Sequence, residues 1–198
     1  PLGTGQGLQR PSDIQWGAAY ASLVKGDSVV VGGTFTRAGD RAAGLIAAWD
    51  GTAWSPIGAG FDTLPSDSGT CAFPRYPEVL ALADYNGDLI AGGSFRITAA
   101  GDTVHGIARW DGSAWRSLGS GMGAIAFDCA PPTVHALVVW NGDLIAGGTF
   151  RSAGGVNVGR VARWDGTAWH PMGGGWATQF GAVHELEVTP GGELIAGG

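Results

Sequence analysis

His135 and His184 are the two residues whose type and spacing best suit metal binding, because they occupy equivalent positions in successive repeats of the sequence. Imidazole is a common ligand of zinc and other transition metals. Both residues are expected at the start of the first strand of a repeat. If the repeats are arranged around an axis with these strands innermost, the two rings lie near that axis. A third ligand at suitable spacing is not evident, and two copies of one repeat position that satisfy local hydrogen bonds are the alternative. We predict no metal ion, with His135 and His184 as the candidates if one binds.

The sequence contains no recognisable catalytic constellation. It has no Gly-x-Ser-x-Gly nucleophile elbow, and the Ser120 segment Gly-Ser-Gly is the end of a repeat. Aspartates in three Trp-Asp-Gly segments suit tight turns, so turn formation accounts for them without calcium. Trp16 and Trp176 lie outside that motif and are the candidates for a carbohydrate-binding surface. We therefore predict no enzyme, no catalytic residue and no cofactor.

Charge and cysteine content limit the partners. The net charge of -6 opposes binding to nucleic acid, which requires a basic patch. No apolar run approaches the roughly 20 residues of a membrane-spanning helix. Cys71 and Cys129 lie in corresponding connections of neighbouring repeats, where they form either one loop-stapling disulfide or two free thiols. Two loop cysteines favour an oxidising compartment.

Composition points to an all-β chain. Glycine accounts for 37 of 198 residues and charged residues for 14%. Glycine or proline interrupts nearly every stretch that is long enough for an amphipathic helix. The same glycines suit tight turns and closely packed strands.

Two repeated segments dominate the sequence. Residues 85–95 return almost unchanged as 140–150, with weaker copies at 25–35 and 190–198. The first glycine of each Gly-Gly pair is residue 32, 92, 147 or 197, which gives repeats of about 50–60 residues. A second motif, Trp-Asp-Gly-Thr/Ser-Ala-Trp, follows each of the first three pairs at 49–54, 110–115 and 164–169.

Turn chemistry divides each repeat into four strands. Asn-Gly at 86–87 and 141–142, and Asp-Gly within the tryptophan motif, predict two-residue hairpin loops. In the third repeat the strands are expected over 134–140, 144–150, 160–164 and 168–172. A two-residue loop at 50–51 places Trp49 opposite Thr52 and diagonal to Trp54, so one face of the sheet is bulky and the other small.

Repeat units of this kind stack large face against small face, and four-stranded units stacked radially form a β-propeller. The predicted fold is therefore an all-β propeller of four-stranded antiparallel blades. We assign 18–60, 78–121 and 133–175 as three blades and 182–198 as the first two strands of a further blade. Residues 1–5 match 56–60 and 171–175, so they are expected to form the fourth strand of a preceding or closing blade. The chain is expected to belong to a longer repeat array.

The repeated Asn-Gly-Asp-Leu-Ile-Ala-Gly-Gly-Ser/Thr-Phe and Ala-Arg-Trp-Asp-Gly-Ser/Thr-Ala-Trp segments resemble the propeller repeats of large bacterial secreted and surface proteins. They are similar to delta-60-type repeats, to the fungal cortical-marker propeller and, more distantly, to kelch repeats. The resemblance covers nearly the whole chain and implies a secreted or surface propeller. It implies no enzymatic residues, because turn and packing residues are what recurs.

The variable loops are the predicted binding surface, since binding usually resides in loops on a rigid scaffold. We expect this surface to hold a protein or a glycan, outside the cell, at the cell surface or in the periplasm. The first alternative is a structural unit that assembles with other chains through its incomplete blade. The second is a carbohydrate-active or other propeller enzyme. The candidate ligand-binding residues are Arg37, Asp40, Arg41, Asp102, His105, Arg151 and Asn157.

Overall fold

The computed structural model describes residues 7–9, 17–62, 76–123, 132–174 and 181–198, and every regular element in these ranges is a β-strand. No helix that is long and apolar enough to cross a bilayer is found among them. The strands are, in chain order, β1 (Leu8–Gln9), β2 (Ala19–Lys25), β3 (Ser28–Gly33), β4 (Arg37–Ala38), β5 (Arg41–Ala42), β6 (Ile46–Trp49), β7 (Trp54–Pro56), β8 (Val79–Tyr85), β9 (Asp88–Gly93), β10 (Ile107–Trp110), β11 (Trp115–Ser117), β12 (Met122–Gly123), β13 (Val134–Trp140), β14 (Asp143–Gly148), β15 (Ser152–Ala153), β16 (Val156–Asn157), β17 (Val161–Trp164), β18 (Trp169–Pro171), β19 (Glu185–Val188) and β20 (Leu194–Gly197).

Three four-stranded antiparallel sheets each come from one sequence repeat. They are the first sheet (β2-β3-β6-β7), the second sheet (β8-β9-β10-β11) and the third sheet (β13-β14-β17-β18). Strands β19 and β20 pair as a terminal hairpin. The prediction of an all-β chain with four-stranded antiparallel sheets is confirmed. In the third repeat the first strand has the predicted bounds, and the other three are shorter by one or two residues.

The two kinds of hairpin differ from one another. Asn86 and Gly87 have φ values of 52° and 85°, as do Asn141 and Gly142 at 52° and 86°, so both central residues are left-handed as predicted for type I′ turns. The prediction of a two-residue Asp-Gly loop is wrong. Trp49 pairs directly with Trp54, which leaves a four-residue loop between them.

The aspartate at the start of this loop explains its length. Asp50 Oδ1 accepts hydrogen bonds from the Thr52 and Ala53 backbone N–H groups and from the Thr52 hydroxyl, at 2.7–2.8 Å. Asp111 and Asp165 make the same contacts in the next two repeats. A side chain that binds the backbone two and three residues ahead stabilises a wider turn than Asp-Gly alone requires. The carboxylates are thus engaged in forming the turns.

The two glycines of each Gly-Gly pair lie against different neighbours. A Cβ built on the first glycine would meet a valine of the next repeat: Gly92 would bring it within 2.6 Å of Val134 Cγ1, and Gly147 within 2.5 Å of Val183 Cγ1. A Cβ on the second glycine would overlap a backbone carbonyl of its own sheet, as at Gly148 with Thr133. The first glycine therefore permits close packing between sheets, and the second permits the β-bulge in the first strand.

Successive sheets pack face against face. We call the face that packs on the following sheet the front face and the opposite one the back face. The front face of the first sheet and the back face of the second enclose one buried cluster, which includes Val30, Ile46, Leu89 and Trp115. A corresponding cluster joins the second and third sheets. The first strands β2, β8, β13 and β19 contact one another in series, so each sheet also meets the next along its first strand.

Candidate binding surface

Short hairpins project from each repeat between its second and third strands. They are β4–β5 in the first repeat, a turn closed by the Ile97–Thr103 bridge in the second, and β15–β16 in the third. We call them lateral hairpins. Each also pairs with the segment that precedes its sheet: Leu8 with Ala38, Phe61 with Thr98, and Met122 with Ala153. Because the Phe61 and Met122 segments follow the fourth strands of the first and second sheets, the second and third lateral hairpins link adjacent repeats at one edge.

Five of the seven predicted binding residues lie on lateral hairpins, and the other two lie just outside them. The first hairpin carries Arg37, Asp40 and Arg41, the second carries Asp102, and the third carries Asn157. His105 follows the second hairpin by two residues, and Arg151 directly precedes the third. Five of the predicted residues are exposed, namely Arg37, Asp40, Arg41, Asp102 and Asn157. The other two, His105 and Arg151, are half-buried. The structure therefore distributes the predicted residues over successive repeats and does not gather them around one groove.

Several of these residues have a structural role. One guanidinium N–H of Arg37 donates to the Asp40 carbonyl at 2.5 Å, within its own hairpin. His105 adopts a left-handed φ of 44°, and its carbonyl accepts the Met122 N–H at 2.9 Å. Burial, and then the neighbouring Arg96 charge, lower the pKa of His105 below 6.5. These contacts shape the hairpins.

An open groove of about 590 Å³ lies between the first and second lateral hairpins. Most of its lining residues are glycine or alanine, so backbone forms much of the wall. Ile97 contributes an apolar side chain that is 40% exposed. None of the seven binding residues predicted from the sequence lines this groove. The lining residues are Thr36, Ala42, Ala43, Gly44, Gly58, Ala59, Phe61, Asp62, Ile97, Thr98, Ala99 and Gly101.

The groove has a rigid base. Phe61 is buried beneath it and stacks on Phe95 with ring centroids 3.8 Å apart. The Phe61 N–H donates to the Gly44 carbonyl, and the Asp62 N–H donates to the Ile97 carbonyl. Since backbone hydrogen bonds fix both walls to one floor, the groove is preformed.

His135 and His184 lie together, as their repeat positions predict. Their ring centroids are 4.7 Å apart. Burial, and then the nearby His184 ring, lower the pKa of His135 below 6.5. Within the described ranges no group of three or more His, Cys, Asp or Glu side chains is arranged to hold a metal ion. The two rings meet where the third sheet contacts the terminal hairpin.

The edge opposite the lateral hairpins carries the tight turns and most of the ion pairs. Arg163 contacts Asp143 at 2.5 Å, and Arg109 contacts Asp88 at 2.9 Å. Hydrogen bonds from the Ala114 backbone and the Ser113 side chain hold the pKa of Asp111 well below its usual range. These carboxylates thus form turns and ion pairs, which is a structural use of acidic residues.

Some predicted features lie outside the described residues. They are the candidate disulfide cysteines Cys71 and Cys129, the tryptophans Trp16 and Trp176, and the predicted strand at residues 1–5. A scan against protein-family models and a search of curated proteins found no match to the chain.

Proposed function

We propose that this chain is part of a β-propeller and acts as a non-enzymatic binding module that holds a protein segment or a glycan at the edge formed by its lateral hairpins. The observation that carries the proposal is the preformed groove between the first and second hairpins. Concave surfaces with a few placed polar groups are where proteins usually bind ligands.

The propeller part of the proposal rests on how the sheets stack. Each repeat forms one four-stranded sheet, and consecutive sheets bury a cluster between front and back faces. The first strands contact one another in series. Radial stacking about the first strands is the arrangement of propeller blades.

The shape of the groove favours a thin ligand. Small side chains leave backbone N–H and C=O groups close to the surface, and Thr36 and Asp62 add polar groups to the walls. An extended peptide or a sugar chain fits such a groove and can hydrogen-bond along it. Ile97 provides one apolar contact for a methyl group or a sugar face. The net charge of -6 favours a neutral or cationic ligand.

A binding role without catalysis is supported by how the acidic side chains are used. Asp50, Asp111 and Asp165 each bind the backbone of their own turn. Asp88 and Asp143 pair with arginines. The proposed location outside the cytoplasm rests on the resemblance of the repeats to those of secreted and surface proteins.

The test is a binding screen of peptide and glycan arrays, followed by a groove-filling variant. Ala99 is exposed and lines the groove, so Ala99→Trp places an indole in it. We expect every ligand of the groove to lose at least about tenfold in affinity, because the ring occupies the volume that the ligand needs. Isothermal titration measures the change.

Ala53→Trp is the matched control. Ala53 is also exposed but lies in the four-residue loop at the opposite edge, so the added indole leaves the groove open. Equal binding by both variants would show that the ligand sits elsewhere. Turnover of an array glycan by the parent chain, lost in Ala99→Trp, would replace the binding role with an enzymatic one.

A further inference from the structure

The chain contains two Asn-Gly pairs, and both lie in type I′ turns that join the first and second strands of a sheet. The residues from the asparagine onwards are identical at 86–93 and 141–148. The backbone also agrees, since the φ values are 52° and 85° in one turn and 52° and 86° in the other. Both asparagines and both glycines are exposed. A difference in reactivity between the two turns therefore comes from their surroundings.

The turn of the second sheet is held by two side chains. The Gly87 N–H donates to Asp84 Oδ1 at 3.1 Å. Lys25, at the corresponding turn of the first sheet, donates to the Gly87 carbonyl at 2.8 Å and pairs with Asp84 at 2.5 Å. The nitrogen and the carbonyl of Gly87 are therefore both engaged.

The turn of the third sheet lacks both of these contacts. Val139 occupies the position of Asp84, so an apolar side chain replaces the carboxylate. The Gly142 N–H has no hydrogen-bond partner among the described residues. Tyr85 occupies the position of Lys25, so no ammonium group is placed to bind the Gly142 carbonyl. The nitrogen of this turn is therefore free of the contacts that engage its counterpart.

An asparagine that precedes glycine can lose its side-chain amide without an enzyme. The Gly142 nitrogen gives up its proton and attacks Asn141 Cγ, which forms a new N–C bond. The bond between Cγ and the side-chain nitrogen breaks, and ammonia leaves with the proton. A water molecule then opens the cyclic imide to aspartate or isoaspartate. Glycine suits this reaction because it has no Cβ to shield the nitrogen and its backbone bends freely.

The contacts around Gly87 oppose both requirements of this reaction. Its nitrogen must become anionic, and the carboxylate beside it disfavours a second negative charge. The turn must also distort to bring the nitrogen onto Cγ, and the hydrogen bonds from Lys25 and to Asp84 resist that distortion. Gly142 meets neither obstacle.

We propose that Asn141 is a site of self-modification, where the chain converts an asparagine to aspartate or isoaspartate while Asn86 is protected. The product adds a carboxylate two residues before Asp143. Isoaspartate also lengthens the main chain of the turn by a carbon atom. The preceding residue, Trp140, donates its indole N–H to the Gly192 carbonyl at 2.8 Å and joins the third sheet to the terminal hairpin. Modification of the turn therefore weakens that contact.

The test follows both asparagines in the intact, folded chain at mildly alkaline pH. Tryptic peptides 76–96 and 117–151 separate the two sites, and mass spectrometry with enzymatic methylation of isoaspartate measures conversion. We expect Asn141 to convert roughly tenfold faster than Asn86, the factor that one hydrogen bond of typical strength contributes to a barrier. In urea, where both turns are unfolded, the two rates should become equal, since the local sequences are the same.

A reciprocal exchange of side chains tests the cause. Val139→Asp supplies the third sheet with the missing carboxylate and should slow the conversion of Asn141. Asp84→Val removes the carboxylate from the second sheet and should speed the conversion of Asn86. Both positions are exposed, so neither variant disturbs the core.

Equal rates in the folded chain, conversion of neither asparagine, or a ratio that the exchange leaves unchanged would contradict the proposal. The converted chain, separated by anion exchange, reports on the contact with the terminal hairpin. We expect its Trp140 indole N–H to exchange with solvent several-fold faster than in the parent chain. Unchanged exchange would contradict the proposed effect on this contact.

Discussion

The back faces of the first and second sheets differ at two matched positions, the apolar residue at the start of the second strand and the second tryptophan of the motif. On the second sheet Leu89 is buried and the Trp115 indole is hydrogen-bonded to the preceding repeat. On the first sheet Val29 is exposed and the Trp54 indole is unpaired among the described residues. The preceding sheet therefore covers Leu89, whereas the equivalent Val29 has no such cover, and the burial of this position depends on the neighbouring sheet.

The largest expected difference comes from truncating the apolar position at the two faces. Leu89→Ala should lower the free energy of unfolding by about 2–5 kcal/mol, because it leaves a cavity between two sheets. Val29→Ala should lower it by less than about 1 kcal/mol, since water already reaches Val29. Urea unfolding of both variants measures the two values. Similar losses would mean that Val29 is covered in solution.

The first glycine of the Gly-Gly pair provides a second matched comparison. A Cβ at Gly92 would lie 2.6 Å from Val134 Cγ1, whereas a Cβ at Gly197 in the terminal hairpin would meet nothing within 4 Å. Gly92→Ala should therefore destabilise the fold by about 1–3 kcal/mol through overpacking. Gly197→Ala should be neutral within about 0.5 kcal/mol. Equal free energies of unfolding for the two variants, measured in urea, would contradict this prediction.

The tryptophan donors give a smaller difference. Trp115→Phe leaves the Ile57 carbonyl without its indole donor and should cost about 1 kcal/mol beyond the lost ring area. Trp54→Phe removes a donor that has no described partner, so it should cost less than Trp115→Phe. Thermal unfolding of both variants gives the ordering. The reverse order would place an acceptor beside Trp54 in the chain as it stands.

The smallest expected effect is a pH dependence at the interface between the third sheet and the terminal hairpin. The folded chain lowers the pKa of His135, so the unfolded chain binds the proton more tightly. This contribution to stability is complete above about pH 6.5 and is lost as the pH falls through the lowered pKa. The equivalent position of the second repeat is occupied by Leu80, so His135→Leu is a conservative test. Between pH 7 and pH 5, we expect the unfolding midpoint of this variant to change less than that of the parent chain.

Local patterns predicted the parts of the fold that depend on a few neighbouring residues. The Asn-Gly dipeptides gave correct type I′ hairpins because positive φ at both positions selects that turn. The Asp-Gly hairpin was predicted wrongly, since the aspartate side chain binds two backbone N–H groups and widens the loop to four residues. The lateral hairpins were predicted as plain loops, because each is held by pairing with the preceding repeat, as Met122 pairs with Ala153.

The sequence alone determined the repeat, the all-β class, the four strands of each sheet and the edge at which the variable loops lie. These follow from composition, from turn residues and from alternation along a strand, which are local properties. Only the tertiary structure decided that a groove opens between the first two lateral hairpins and that Val29 is exposed where the equivalent Leu89 is buried. Both depend on how one sheet is placed against another, and near-identical repeats acquire different surroundings only through that placement.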